Sequence, residues 1–223
     1  MANEQLPLGT RIANFVGLPV TPKPLPVPEI VGQAKFVQIT TDIVISEFES
    51  GYYHPDMALR MSAKDRALLA ASGETMYGLD RKAGAALSAY PEWASFWAII
   101  DHANARLKWK HYYMGDIALQ PELKRLASTI MAKWFASLSV RYLTKESLQK
   151  IANDDRLIVH FSYAAWNGPG WFQKFAKALQ SATGTKEQIF ELAISARINA
   201  NSLAIRNAGG KMLAYFNKHG MNN

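Results

Sequence analysis

Two glutamates, Glu47 and Glu49, close an apolar run in the stretch SEFESGYYHPDM, residues 46–57. Residues 39–50, ITTDIVISEFES, read as a helix with a threonine at its start and an aspartate in its first turn, and Gly51 is a plausible stop. Both glutamates then fall in the last turn. There the helix macrodipole is negative, which disfavours the carboxylate and raises its pKa. A carboxyl that keeps its proton near neutral pH is what a general acid for glycoside cleavage needs. On a 3.6-residue wheel the two side chains are about 200° apart, so only one faces a given cleft. Glu47 falls between Ile43 and Val44 on that wheel and Glu49 near Ile45, and periodicity leaves the choice open. The competing reading is a solvated, charged helix end.

Two further phrases carry chemistry. GETMYG, residues 73–78, sets an acid, a hydroxyl and a tyrosine between glycines. FSYAAWNGPGWFQKFAKALQ, residues 161–180, is an aromatic helix, an Asn167-Gly168-Pro169-Gly170 break and a second helix. Trp166 and Trp171 flank the break, a common way to pack a helix–turn–helix. Aromatic faces beside an amide also suit sugars, whose C–H faces stack on rings and whose hydroxyls bond amides. The histidines at 54, 102, 111, 160 and 219 show no paired ligand spacing, so no metal site is predicted. No phosphate loop or dinucleotide glycine pattern occurs, and no cofactor is predicted. The glycines of NAGGK, residues 207–211, follow a helix rather than a strand.

These residues need a scaffold. The chain has 223 residues, 49% hydrophobic and 19% charged, enough for a substantial core. It has no cysteine, which excludes disulfides and thiol chemistry. A net charge of +7 favours an anionic partner such as nucleic acid, a membrane face or an acidic cell-wall polymer. No run of four basic residues marks a nucleic-acid arm, and no stretch of about 18 apolar residues marks a membrane span. The start, MANEQLPLGT, lacks the pattern of a signal peptide, which predicts synthesis in the cytoplasm and delivery by other means.

Five prolines fall in residues 19–28, so residues 1–36 read as an extended arm or linker. Helical patterns follow at about 80–89, 91–110, 120–139, 144–152, 154–165, 169–182, 186–207 and 210–218. Residues 37–184 make the body, and the helices of 185–223 pack on it. The fold class is mainly α, with at most a small β-hairpin near residues 51–78.

The order of the phrases resembles the phage-type N-acetylmuramidases of glycoside hydrolase family 108, in the lysozyme-like superfamily. The matching residues are Glu49-Ser50-Gly51-Tyr52, then His54-Pro55-Asp56, then Gly73-Glu74-Thr75-Met76-Tyr77-Gly78-Leu79, then Trp166-Asn167-Gly168-Pro169-Gly170 and Leu179-Gln180. Ser50 replaces the family's first glycine, and MALRMSAKDRALLAA is an apparent insertion. The resemblance implies a lysozyme-like helical domain over 37–184 that cleaves the bond between N-acetylmuramic acid and N-acetylglucosamine. It makes Glu49 the acid, Asp56 a second carboxylate and Thr75 the holder of that carboxylate or of water. Glu74 is a further candidate for the second carboxylate. Tyr52, Tyr77, Trp166 and Asn167 would bind substrate. The implied partner is bacterial peptidoglycan, reached from the cytoplasm or carried by a phage virion or a secretion machine. Two alternatives stand beside it: a lytic transglycosylase on the same fold, and a non-catalytic phage structural or wall-binding module.

Overall fold

The computed structural model describes residues 33–49, 51–54, 73–82, 85–108, 110, 112 and 116–221. The proline-rich stretch, Asp56 and the apparent insertion lie outside the described residues.

The protein is mainly α. Helix α1, Gln33–Ile39, runs straight into a π-helical segment, Thr40–Phe48. A small antiparallel sheet follows, with β1 Tyr52–Tyr53, β2 Thr75–Met76 and β3 Leu79–Asp80 in that order. After a short α2, Ala85–Ser88, come α3 Pro91–Leu107, α4 Gln120–Tyr142, α5 Lys145–Ala152 and α6 Asp155–Trp166. The chain finishes with α7 Pro169–Ser181, α8 Lys186–Ile198 and α9 Leu203–Lys218.

Several boundaries follow local chemistry. Proline stands in the first turn of α3, α4 and α7, where its missing N–H costs nothing. Thr144 caps α5 by accepting from the Ser147 N–H at 3.1 Å. Thr185 and Gln188 form a capping box on α8. Helix α6 is buried on every side from Arg156 to Trp166, as its nearly unbroken apolar sequence allows. It is the axis of the core, with α4, α5, α7 and the π segment around it.

Three boundaries depart from the sequence pattern. The first helix begins at Gln33, inside the predicted arm, and passes through the threonines instead of starting there. Thr41 bonds the Val37 carbonyl at 2.8 Å and Ser128 at 2.7 Å, so its hydroxyl ties the helix to α4 rather than capping it. Residues 79–80 are strand, and the helix predicted at about 80–89 is only Ala85–Ser88. The helix predicted over 186–207 ends at Ile198, and α9 continues through Gly209-Gly210. A Cβ on Gly209 would lie 2.9 Å from Ile198 Cγ2 and 3.3 Å from Arg197 Cγ. Glycine there allows α9 to lie close on α8; it does not end the helix.

This contrast is testable. Gly210 is equally helical, and a Cβ there meets nothing within 4 Å. Gly210→Ala is expected to stabilise the protein by roughly 1 kcal/mol, the ordinary helix-interior gain. Gly209→Ala should forfeit that gain or reverse it. Urea unfolding of the two variants checks this, and equal gains would refute the packing role of Gly209.

Candidate active site

Glu49 is the residue that ends the π segment. Its N–H bonds the Val44 carbonyl at 2.9 Å, five residues back. Helix α1 and the π segment together are held along α4 by three contacts. Phe36 meets Phe135 at 4.4 Å between ring centroids, Thr41 bonds Ser128, and Ser46 accepts from Lys124 Nζ at 3.0 Å. The wide winding changes the angular step per residue, so a 3.6-residue wheel misplaces the glutamates. Glu47 is exposed. Glu49 is half-buried, and its Oε1 is shut off from solvent with no protein hydrogen-bond partner.

Burial pushes the Glu49 carboxyl from its ordinary 4.5 up to about 7. The Tyr163 hydroxyl, which hydrogen-bonds the carboxyl, and the Lys211 ammonium pull it down, while the Asp80 carboxylate pushes it up. The local frame that keeps water away is the β2–β3 hairpin. Its turn residues Tyr77 and Gly78 have φ of 50° and 69°, the two positive values of a tight hairpin turn. The Trp166 indole N–H donates to the Tyr77 carbonyl at 3.1 Å and pins this turn to the end of α6. A Cβ on Gly78 would fall 2.6 Å from the Trp166 ring and 2.7 Å from Glu49 Oε2. Only glycine lets the turn pass between indole and carboxyl.

Thr75 and Asp80 face each other across the hairpin, and Thr75 Oγ1 donates to Asp80 Oδ1 at 2.6 Å. Thr75 therefore holds a carboxylate, that of Asp80, which the sequence reading missed. Pairing Met76 with Leu79 across the two-residue turn places Asp80 opposite Thr75, so the signal was present but needed the hairpin register. Asp80 is fully buried and acts on Glu49 through its charge. Asp56, expected as the second carboxylate, lies outside the described residues. Glu74 is committed elsewhere. It accepts from the Tyr52 hydroxyl at 2.5 Å and from Arg81 Nε at 2.6 Å, and Arg81 also clamps Asp101 and covers the Trp97 ring.

The four expected substrate-binding residues take structural places. Tyr77 and Trp166 are buried in and behind the turn. Tyr52 is buried, and besides donating to Glu74 it accepts from the Tyr112 N–H at 3.1 Å. Asn167 is buried, its Oδ1 accepting from Arg197 Nη1 at 2.7 Å. All four are buried, and the Tyr77 hydroxyl and Asn167 Nδ2 are enclosed without a partner among the described residues, so they line the site from behind rather than presenting an open face. Arg197, on α8, is fully buried. It donates to His160 Nδ1 at 3.2 Å and to the His160 carbonyl at 3.3 Å, and lies over the rings of Tyr163 and Phe175. Burial, then the Arg197 charge, holds His160 well below its ordinary 6.5, so the imidazole stays neutral. Tyr163, Arg197 and Lys211 were all invisible as site residues, because nothing local to them announces the contact.

Among the described residues no group of acids and histidines could hold a metal ion, and no helix is long and apolar enough to cross a membrane. A cavity of about 290 Å³, lined by Glu146, Lys150, Asp154, Leu157, Lys186 and Ile189 among others, shares no residue with the Glu49 cluster. No protein-family model, curated protein or solved structure matches the chain.

The raised carboxyl has a consequence for stability. Below 4.5 Glu49 is protonated in both folded and unfolded chains. As pH rises to about 7, the unfolded chain releases the proton and the folded chain keeps it, so stability falls across that window. The cost above the window is on the order of 3 kcal/mol. Glu49→Gln removes it, and is expected to be more stable than wild type at pH 8 by about 1–3 kcal/mol while matching it at pH 4. Urea unfolding at the two pH values measures this; a glutamine variant less stable at pH 8 would contradict the raised carboxyl.

Proposed function

We propose that the protein is a lysozyme-like glycosidase that cuts the bond between N-acetylmuramic acid and N-acetylglucosamine in peptidoglycan, with Glu49 as general acid. The observation that carries the reading is the Glu49 carboxyl, enclosed with one oxygen shut off from solvent, raised by that burial to about 7 and ending a helix just before Ser50-Gly51-Tyr52. Buried carboxyls with such values are costly and concentrate where proton transfer is done. The reading is further supported by the meeting of three separated phrases, since Glu49, the Tyr77-Gly78 turn and Trp166 touch. A net charge of +7 suits an anionic wall.

In this mechanism Glu49 gives its proton to the bridging oxygen. The bond from the muramic C1 to that oxygen breaks, and its electron pair leaves with the protonated oxygen. Positive charge spreads over C1 and the ring oxygen. Water then adds to C1 and surrenders a proton to a carboxylate, either the newly ionised Glu49 or Asp56. Asp80, oriented by Thr75, is a positioning residue. Burial keeps the proton on Glu49, and the negative charge of Asp80 adds to that effect. The alternative is lytic transglycosylation. A carboxyl near 7 serves equally as acid and then as base, and the muramic residue's own hydroxyl would attack C1, yielding an anhydro end.

Turbidity loss of purified peptidoglycan tests the assignment, with mass spectrometry of the released sugars. Glu49→Gln is expected to lose about 10²–10⁴-fold in rate, a general acid's share, while Glu47→Gln stays near wild type. Reducing ends mean hydrolysis and anhydro ends transglycosylation. Wild type that releases nothing from several wall types leaves a binding module instead. Activity should fall as pH rises through about 7, where Glu49 loses its proton. Asp80→Asn removes a charge that adds to burial in raising Glu49, so this alkaline limb should move modestly to lower pH; an unmoved limb would show that Asp80 does not act on Glu49.

A further inference from the structure

The cavity of about 290 Å³ lies at the other end of α6 from Glu49. Asp154, which caps α6, and Leu157, in its first turn, line it, whereas Tyr163 and Trp166 of the Glu49 cluster stand in the last turn. Leu157 and Tyr163 are about 9 Å apart along the helix axis. One wall is the face of α5 that carries Glu146, Lys150 and Asn153 at helical spacing, and another is the first turn of α8, with Lys186 and Ile189. Leu157 is buried and Ile189 half-buried, while Glu146, Asn153 and Lys186 are exposed, so the cleft has an apolar floor and a polar rim. Its deep acceptor is already used. The buried Asp154 carboxylate takes the Arg156 N–H at 2.9 Å and the Arg156 guanidinium through contacts of 3.0, 3.2 and 2.7 Å, filling the roughly four lone-pair sites of a carboxylate. The donors are not used up. Lys150 Nζ donates to the Ala182 carbonyl at 2.8 Å and pairs with Glu146 at 3.1 Å, which leaves one of its three hydrogens. Lys186 forms no ion pair among the described residues, and there it is the one charge lining the cleft without a counter-charge.

We propose that this cleft binds a small organic carboxylate, its apolar body on Leu157 and Ile189 and its carboxylate on the ammonium groups of Lys150 and Lys186. The volume is that of roughly ten waters, which sets the ligand at about ten non-hydrogen atoms, the small end of molecules held in clefts. A cation finds no free acceptor at the floor, because Arg156 fills Asp154. A bare inorganic anion leaves the apolar floor wet. A neutral molecule of the same shape leaves Lys186 without a counter-charge. Glu146 is a built-in competitor, since its carboxylate already holds one hydrogen of Lys150 from the rim. No residue of the Glu49 cluster takes part, so the site stands or falls apart from the glycosidase reading.

Titration of the full, nitrogen-15-labelled chain at low ionic strength tests this by NMR with three probes: phenylacetate, its neutral isostere phenylacetamide, and inorganic phosphate. Phenylacetate is expected to shift the amide signals of residues 146–157 and 186–189 saturably. Phenylacetamide should bind there about tenfold more weakly, the worth of one charge-assisted contact, and phosphate should not saturate at the same concentrations. Lys186→Gln is expected to weaken phenylacetate about tenfold and to leave phenylacetamide within about twofold. Glu146→Gln removes the competing carboxylate and should tighten phenylacetate severalfold. Both side chains are exposed, so these variants keep the fold. Phenylacetate that shifts no signals of the cleft would overturn the proposal. So would equal binding of acid and amide, which marks a plain apolar hollow, or phosphate binding as tightly as phenylacetate, which marks only a charged surface. A Lys186→Gln variant that binds phenylacetate like wild type would overturn it as well.

Discussion

The hydrogen bond from the Trp166 indole to the Tyr77 carbonyl seats the β2–β3 turn on the end of α6. The sheet's strands are two residues each, too short to hold a position by themselves. With the bond made, Gly78 is wedged between the indole and Glu49, and the carboxyl loses its water. The desolvation that raises Glu49 is therefore a packing result. It depends on one residue having no side chain and another having a donor at its ring edge.

Behind this contact lies a second layer that carries charge without exposing it. Arg197 reaches in from α8 to Asn167 at the end of α6 and to His160 in the middle of that helix, and covers the Tyr163 ring. A guanidinium with no solvent must have every donor engaged, which fixes the relative placement of α6 and α8. Tyr163, held between the Phe48 ring and Arg197, has little freedom to turn its hydroxyl away from Glu49. Helix α8 thus bears on Glu49 indirectly, through the Tyr163 ring that Arg197 covers.

The sequence made the fold class and most helices legible because their signals are local. Thr144, Thr185 and the prolines of α3, α4 and α7 cap or start helices by chemistry within one turn. The burial of Glu49 was not legible through periodicity, since the wheel presumes α winding where the chain is π. Gly209 was misread because its glycine answers to Ile198 on another helix. Asp80 required a strand register, and Arg197 and Lys211 required the tertiary fold. Local pattern reports how a segment sits in its own backbone. It is silent about which distant group comes to share its water.

The π winding of Thr40–Phe48 has one more consequence. Each of its turns holds one residue more than an α turn. The anchors to α4 lie at Phe36 in α1 and at Thr41 and Ser46 in the segment, upstream of Glu49, so the segment is a spacer of set length between anchorage and carboxyl. Losing one residue between Ser46 and Glu49 would leave those anchors in register and re-aim the carboxyl. Such a deletion would leave a chain that still folds with its buried carboxyl turned away from the Tyr77-Gly78 turn, so the length of this segment is itself a constraint on the Glu49 cluster.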